Sequence, residues 1–427
     1  MALTVSLDDI VASGNSLLAI KPHWQRVRLG DVGQVLNGYA FKAELFTREG
    51  GMPLIRIRDV GSAASETFYS GDYDERYVVN AGDLLVGMDG DFNCARWRGP
   101  RSLLNQRVCK ITVDEALYLP RFLDYVLPGY LKAINDATSS ITVKHLSSRT
   151  IQDIPLPLPP MEEQCEIVAE LEKQFSRLDE AVANLQRVKA NLKRYKASVL
   201  KAAVEGRLVE TEATLAHRES RTYETGEQLL RAALIARRAR WDRRGQYVEP
   251  KATASDELSS LPDGWVWANV EQLGFVRGGK RLPAGHKYAE EVTPHPYIRV
   301  TDFADYGINL DGLLYLKPET HKEIQRYTIL SDDLYISIAG SIGLVGVLPE
   351  RLSGANLTEN AAKITGLEHV QKEYLMYWLS SASGIDFISD STIATTQAKL
   401  ALYRIERIPV PLPPLAEQAR IVAEVDR

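Results

Sequence analysis

Catalytic signatures are missing from this 427-residue chain, and each gap excludes a class of function. There is no Gly-(x)4-Gly-Lys-Ser/Thr loop, which argues against an ATP-driven motor. No Asn-Pro-Pro-aromatic sequence of the adenine-methyltransferase type occurs, and no Cys/His set has metal spacing. The seven histidines are scattered, with no partner evident for His145, His217 or His321. Gly340-Ser341-Ile342-Gly343 is glycine-rich without a phosphate-binding pattern and reads as a turn. The three cysteines, Cys94, Cys109 and Cys165, form no Cys-x-x-Cys pair and read as free thiols of a reducing cytoplasm. No stretch approaches the roughly 18 apolar residues of a membrane span. Met1 to Ile20 lacks the basic start and apolar run of a secretory signal. The net charge of −5 argues against a chain that is basic throughout, although a local basic stripe suffices to meet phosphates.

What the chain does have, it has twice. Ile154-Pro155-Leu156-Pro157-Leu158-Pro159-Pro160-Met161-Glu162-Glu163-Gln164 returns as Ile408-Pro409-Val410-Pro411-Leu412-Pro413-Pro414-Leu415-Ala416-Glu417-Gln418, 254 residues on from Pro155 to Pro409. The match runs through whole domains. Trp24 to Gly38 aligns with Trp265 to Gly279, Pro53-Leu54-Ile55-Arg56 with Pro296-Tyr297-Ile298-Arg299, and Gly82-Asp83-Leu84-Leu85 with Asp332-Asp333-Leu334-Tyr335. So long a repeat is no short-period solenoid; it predicts two homologous domains. Alternation in Leu54–Arg58 and Leu334–Ile338 predicts short strands, and one helix follows in each copy, about Pro120–Ala133 and Gln371–Ile388. Each copy therefore reads as an α+β domain of roughly 130 residues. Two such modules on one chain point to a target with two parts.

Between the domains the texture changes. Met161 to about Gly206 has no proline and only a terminal glycine. Leu171, Leu178, Leu185, Leu192 and Val199 recur every seven residues; Phe175 and Val182, then Val188 and Tyr195, fill the second seam position. This heptad pattern predicts a coiled-coil helix, stopped at Gly206, spanning roughly 65–70 Å at 1.5 Å per residue. From Leu185 to Val209 it carries seven basic residues against one acid, Glu205, which reads as a solvated face or a phosphate contact. A second helix starts at Thr225 with Gln228 as its capping pair, and Gln246 to Pro262 reads as a linker. The Pro-rich exits could serve as polyproline ligands, but their recurrence before the same helix favours a stiff joint. The second long helix is only a stub at Arg427. A complete repeat would need some tens of further residues, so either the chain is truncated or a partner supplies that helix.

Candidate DNA-reading residues are of the types that pair with base edges or neutralise phosphate. In the first copy they are Lys42, Arg56, Arg58, Asn105, Gln106, Arg107, Thr142, Lys144 and Arg149. In the second they are Lys280, Arg281, Arg299, Asn360, Thr395, Thr396, Gln397 and Lys399. Arg56 and Arg299 occupy equivalent positions, so they could instead brace a shared structural feature.

The pattern resembles the specificity subunit of type I restriction–modification systems. The resemblance rests on Asn37-Gly38-Tyr39-Ala40-Phe41-Lys42 and Gly82-Asp83-Leu84-Leu85 in the first domain. In the second it rests on Gly278-Gly279-Lys280-Arg281-Leu282-Pro283, Ala339-Gly340-Ser341-Ile342-Gly343 and Leu357-Thr358-Glu359-Asn360-Ala361-Ala362-Lys363, and in both on the Pro-rich exit into a Glu-Gln helix. The resemblance implies an α+β chain of two homologous α/β target-recognition domains separated by long antiparallel coiled-coil helices. The parts are an N-terminal helical segment at 1–20 packing on the helical region, a first recognition domain at 21–155, and a central helical spacer at 156–250. A second recognition domain at 251–410 and the start of a second spacer at 411–427 complete the chain. It further implies a non-catalytic cytoplasmic protein that binds double-stranded DNA, each domain reading half of a bipartite site. Partners would be two DNA adenine methyltransferase subunits and ATP-dependent restriction/translocation subunits; S-adenosylmethionine, ATP and Mg would sit on those partners, with no cofactor, metal or membrane contact on this chain. The alternatives are a protein-interaction scaffold with duplicated binding modules and an enzyme of fused type.

Overall fold

Proline cannot donate to a β ladder and is confined to sheet edges, yet both Pro-rich exits are strands in the computed structural model of the chain. Pro155–Leu158 pairs antiparallel with Gln25–Arg28, and Pro409–Leu412 pairs antiparallel with Val266–Asn269. Among the described residues each ribbon has two strands, so it keeps an open edge where a missing N–H is not needed. Leu156, Val410 and Leu412 are fully buried. The first and last strands of each domain thus lie side by side, and the chain enters and leaves at one place. The stiff joint of the sequence reading is a ladder rather than a free polyproline segment.

The structure describes residues 6–138, 144–241, 245–253, 258–390 and 399–427. It divides into two compact units, Met1–Asn184 and Leu185–Arg427. In the first, Gly33–Asn37, Val108–Val113, Leu84–Gly87 and Cys94–Arg96 form a four-stranded sheet in that order. A five-stranded sheet carries the parallel pair Met52–Ile55 and Ser102–Leu104. The helix Pro120–Ala137 buries Phe122, Leu123, Leu127 and Leu131 in the main core, together with Leu84, Val86, Ile111 and Leu156. The second unit repeats this plan with Phe275–Gly278, Ala361–Thr365, Leu334–Ser337 and Val345–Val347. Its parallel pair is Pro296–Ile298 with Ala355–Leu357.

The repeated sequence motifs mark the same physical junctions in both units. A Cβ on Gly38 would lie 2.0 Å from the Asn105 carbonyl oxygen, and one on Gly279 would lie 2.0 Å from that of Thr358, so only glycine fits these crossings. Asp83 accepts from the Asn80 N–H and pairs with Lys110 at 3.4 Å. Asp333 does the same with the Leu330 N–H and with Lys363 at 2.7 Å. The Glu-Gln pair closes the base of each unit. Gln164 accepts from the Leu119 N–H and donates to the Leu117 and Pro159 carbonyls; Gln418 accepts from the Gln371 N–H and donates to Pro413. Leu119 and Gln371 are the N-caps of Pro120–Ala137 and Lys372–Ser380. Each glutamine therefore satisfies a helix start that lacks an intrahelical partner.

The neighbouring glutamates share a role and differ in environment. Glu163 accepts from the Trp24 indole N–H, and Glu417 accepts from the Trp265 indole N–H. His23, Trp24 and Lys21 around Glu163 hold its carboxyl down to about 2. Burial instead raises that of Glu417, whose second oxygen accepts the Glu212 N–H. The adjacent Glu212 carboxyl is pushed up by burial, but Arg221 and Arg420 outweigh that and lower it.

One expectation, the single helix over Gln371–Ile388, changes. The N-terminal segment is helical at Leu7–Ala12 and packs on Pro120–Ala137 of its own domain. Ile10 and Leu18 join that domain's core, and Arg26 donates to the Leu18 carbonyl. Within the spacer read as 156–250, the long helix runs over Met161–Val204 as expected, and Gly206, at φ +67°, follows its end. Beyond it, Glu212–Glu219 and Gly226–Ala239 belong to the second unit. Thr225 and Gln228 form the expected capping pair. Leu229 enters the second core with Trp265 and Leu273, and the buried Arg237 donates to the Gly274 carbonyl. The helix expected over Gln371–Ile388 is two, Lys372–Ser380 and Ala382–Asp390. Ser381 breaks it because its hydroxyl bonds the Trp378 carbonyl and accepts from Gly384 N–H, the local competition that makes serine a capping residue.

Candidate nucleic-acid interface

In the first unit the parallel strands Met52–Ile55 and Ser102–Leu104 run in register, Ile55 opposite Leu104. Both strands therefore stop at one edge, and the residues that follow them, Arg56 and Asn105 to Arg107, share it. The chain from Gly38 to Phe41 crosses the same edge, with Tyr39 N–H donating to the Leu104 carbonyl and Gln106 N–H donating to that of Tyr39. Gln106, Arg107, Lys42 and Arg56 are exposed there, beside the exposed ring of Tyr39.

Arg107 is the most constrained of these. Its backbone sits at φ +73°, a region costly for a side-chain-bearing residue. Its guanidinium lies 3.1 Å from His145 Nδ1 and 3.7 Å from Asp89. Asp89 in turn lies 2.6 Å from the same His145 nitrogen. An arginine held by fixed partners loses less rotamer freedom on binding than a free one.

Other candidates are differently placed. Asn105 is only 6% exposed, inside the fold rather than on its surface. Lys144 donates to the Asn135 carbonyl and side chain at 2.6 Å, so its ammonium is tied back to the Pro120–Ala137 helix. Arg58 lies against Thr67 and Asp59. Arg149 is exposed on Ser148–Gln152, next to Ser148, which Asn37 contacts at 3.0 Å. Thr142 lies outside the described residues.

The second unit builds the equivalent edge from different side chains. Ile338 N–H donates to the Asn360 carbonyl as Met88 N–H donates to that of Arg107, so Asn360 stands where Arg107 does. Ala339 bridges Lys399 as Asp89 bridges His145. Lys280, Arg281, Asn360 and Lys399 are exposed. A cleft of about 440 Å³ lies between Arg281, Tyr288, Arg299 and Asn360. Arg281 faces Glu359 at 3.2 Å, and Arg299 clasps the buried Asp302 at 2.7 Å. Arg299 thereby makes the kind of bracing contact foreseen as its alternative. In the first unit only the backbone half of that brace recurs, Arg56 N–H donating to Asp59. Thr395, Thr396 and Gln397 lie outside the described residues. Gly340 and Gly343 have φ +75° and +86°, the turn expected between Leu334–Ser337 and Val345–Val347.

Sequence reasoning missed the partners of the histidines. His145 belongs with Asp89 and Arg107. His321 lies 2.7 Å from Asn356 and stacks on His295 at 4.0 Å with an interplanar angle of 9°. Burial, then the charge of His321, lowers the His295 imidazole below its usual 6.5. The folded state therefore prefers the neutral ring. Stability from this pair is full above about pH 6.5 and is lost as pH falls through the lower folded value. Thermal unfolding at pH 7.5 and 5.5 should show the second unit melting lower at the acid pH. His295→Phe, which keeps a ring and removes the titration, should flatten that difference.

Among the described residues, no helix is long and apolar enough to cross a membrane, and no three His, Cys, Asp or Glu side chains gather as a metal site. Burial pushes the Cys94 and Cys109 thiols up to about 12, which leaves them un-ionised at neutral pH.

Comparison with known proteins places the chain in a family. The pattern of the type I restriction modification DNA specificity domain matches twice, over residues 22–193 and 262–427. The Escherichia coli type I restriction enzyme EcoBI specificity subunit is 34% identical over 424 residues, 97% of this chain and 81% of that protein. The MjaVIII specificity subunit of Methanocaldococcus jannaschii is 21% identical over 411 residues, 94% of this chain and 85% of that protein. A solved chain from structural work on complex assembly and conformational transition of the type I R-M system has the same fold. Its TM-score is 0.58 at 19% identity, covering 96% of this chain and 90% of that one. With both domains matched and a relative at 34% identity along nearly its whole length, the chain belongs to the type I restriction modification DNA specificity family.

Proposed function

We propose that this chain is the DNA-recognition subunit of a type I restriction–modification complex, each domain reading one half of a bipartite site. The observation that carries it is the doubled edge: two copies of a DNA specificity domain expose, at equivalent backbone positions, Gln106 and Arg107 in one and Asn360 in the other. These types suit base edges, arginine to guanine and asparagine or glutamine to adenine. Differing side chains on one scaffold fit two halves of unlike sequence. The helix Met161–Val204 sets the unread gap, and the helical region docks two adenine methyltransferase subunits. Methylation, translocation and cleavage, with S-adenosylmethionine, ATP and Mg, belong to those partners and to the ATP-dependent subunits. The protein acts in the cytoplasm.

The test is fluorescence anisotropy of the chain, with its co-purifying subunits, on randomised bipartite duplexes across salt concentrations. Arg107→Ala should cost ~1–3 kcal/mol and relax preference at one position of one half-site. If it instead lowers the salt slope by about one and spares preference, Arg107 meets phosphate. No preference for any gapped duplex would overturn the reading, as would methyl transfer by the chain alone.

A further inference from the structure

Asp89, Arg107 and His145 come from three separate stretches of chain and meet at one point of the first unit. The backbone laces them together. Met88 N–H donates to the Arg107 carbonyl, Leu146 N–H to that of Met88 and Gly90 N–H to that of Lys144, with Asp89 bridged to His145. Asn135 ties this assembly to the Pro120–Ala137 helix, donating to the Gly90 carbonyl at 2.7 Å and accepting from the Lys144 ammonium at 2.6 Å. The three side chains grade outward: Asp89 is 23% exposed, His145 34% and Arg107 53%.

Their contacts are not all hydrogen bonds at once. A guanidinium only donates and an ionised carboxylate only accepts, whereas His145 Nδ1 carries either a proton or a lone pair. That nitrogen lies 2.6 Å from Asp89 Oδ1 and 3.1 Å from Arg107 Nη1. The shorter contact has the length of a charge-assisted bond, so Nδ1–H donates to Asp89 and takes nothing from Arg107. Asp89 lies 3.7 Å from Arg107 Nε, near enough to attract the guanidinium and too far to accept its N–H. Arg107 is thus aimed by backbone, charge and ring while its donors stay open. Asp89 also offsets the charge of the arginine. That weakens a phosphate contact and leaves the bidentate donor pattern that suits guanine O6 and N7.

The second unit keeps the lacing and drops the side chains. Ile338 N–H donates to the Asn360 carbonyl, Leu400 N–H to that of Ile338, and Ala339 is bridged to Lys399. Asn360, Ala339 and Lys399 stand in place of Arg107, Asp89 and His145. Where the arginine is absent, its carboxylate and its imidazole are absent too, on the same backbone. Asp89 and His145 are therefore not what that backbone needs in order to form.

We propose, resting on the DNA reading above, that Asp89 and His145 are positioning residues for Arg107, and that the three form one unit reading a single guanine through the arginine alone. Preorganisation acts only where the arginine docks on its base, so it sharpens preference at that base pair rather than affinity for DNA in general.

The test is a double-mutant cycle on the chain with its co-purifying subunits. It reads the ratio of affinities for the preferred duplex and for one altered at the base pair that Arg107→Ala relaxes. His145→Phe and Asp89→Ala should each cut that ratio about two- to tenfold, the range expected when one long side chain loses its preorganisation. The salt slope should hold, because no phosphate contact is lost. His145→Asn, whose amide N–H can stand where Nδ1–H stood, should restore most of the ratio. In an Arg107→Ala background neither His145→Phe nor Asp89→Ala should weaken binding to the preferred duplex any further. If both do so, or if protection of Pro120–Ala137 from hydrogen exchange falls with the ratio, they act on the fold and the proposal is overturned. It is overturned as well if Arg107→Ala relaxes the base pair while the other two variants leave it sharp; the DNA reading then stands. An Arg107→Ala chain that loses salt slope and relaxes no base pair overturns it too, since the arginine then meets phosphate. An unaltered chain with no preference for any gapped duplex removes the DNA reading itself, and this inference with it.

Discussion

Deleting one heptad, Ala181 to Arg187, should move the preferred gap between half-sites and leave both half-site sequences as they were. Seven residues shorten a continuous helix by about 10.5 Å and turn what remains by only about 20°. At about 3.4 Å per base pair along the duplex, the gap should contract by up to about three base pairs. The seam survives, because Leu178 is then followed three residues later by Val188. On the original gap the shortened chain seats one half-site and misplaces the other. Each lost base-pair contact costs about 1–3 kcal/mol, so two or three of them should weaken binding on that duplex at least about 30-fold, with recovery on the shorter gap. Selection of bound duplexes from a pool varying in gap and in half-site sequence gives both readings at once. If half-site preference changes while the gap holds, the helix is not what sets the distance.

The parts of this chain that were legible in its sequence are those with a strong local period or a local cap. The heptads of Met161–Val204, the capping pair at Thr225 and Gln228, the helix stop at Gly206 and the turn at Gly340–Gly343 depend on neighbours a few residues away. The repeat exposed the domain plan because two copies that fold alike retain alike glycines and aspartates. The Pro-rich exits were not legible as strands: alternating proline argues against a ladder unless the ribbon has an open edge, and that depends on Gln25–Arg28, some 130 residues earlier. The core that takes Ile10 and Leu18 was not legible for the same reason, since it includes a helix that starts at Pro120.

The candidate interface follows the same rule. Residue type selected Arg107 and Gln106 correctly as exposed groups but also selected Asn105, because strand alternation near a turn does not say which of three successive polar residues faces inward. His145 and Asp89 are 56 residues apart and offered no signal. Their contact with Arg107 depends on the bridge that joins the two loops. Arg299 and Arg56 were ambiguous in sequence because the ion pair of Arg299 with the buried Asp302 depends on the fold.

The recurrent Glu-Gln pair shows most clearly how a motif can be read before its meaning is known, and it carries the second large effect. Gln418→Leu should destabilise the second unit by about 3–5 kcal/mol. The side chain is fully buried, and leucine nearly conserves its volume, so cavity formation adds little. What is lost is the acceptor for the Gln371 N–H and the donor for the Pro413 carbonyl, and each buried group left unpaired costs about 1–3 kcal/mol. Gln164→Leu should do the same to the first unit by stranding the Leu119 N–H and the Leu117 and Pro159 carbonyls. Hydrogen exchange on the whole chain separates the two. Protection in Lys372–Ser380 should fall in the first variant only, and protection in Pro120–Ala137 in the second only. Because each glutamine ties a Pro-rich exit to the start of a domain helix, both variants should also loosen the angle at which the following helix leaves. Gap preference on DNA should therefore broaden in Gln164→Leu, whose exit opens into the long helix Met161–Val204, even at temperatures where both units remain folded. A gap preference as sharp as that of the unaltered chain, with the first unit destabilised as expected, would mean that Gln164 holds the domain together without aiming the helix.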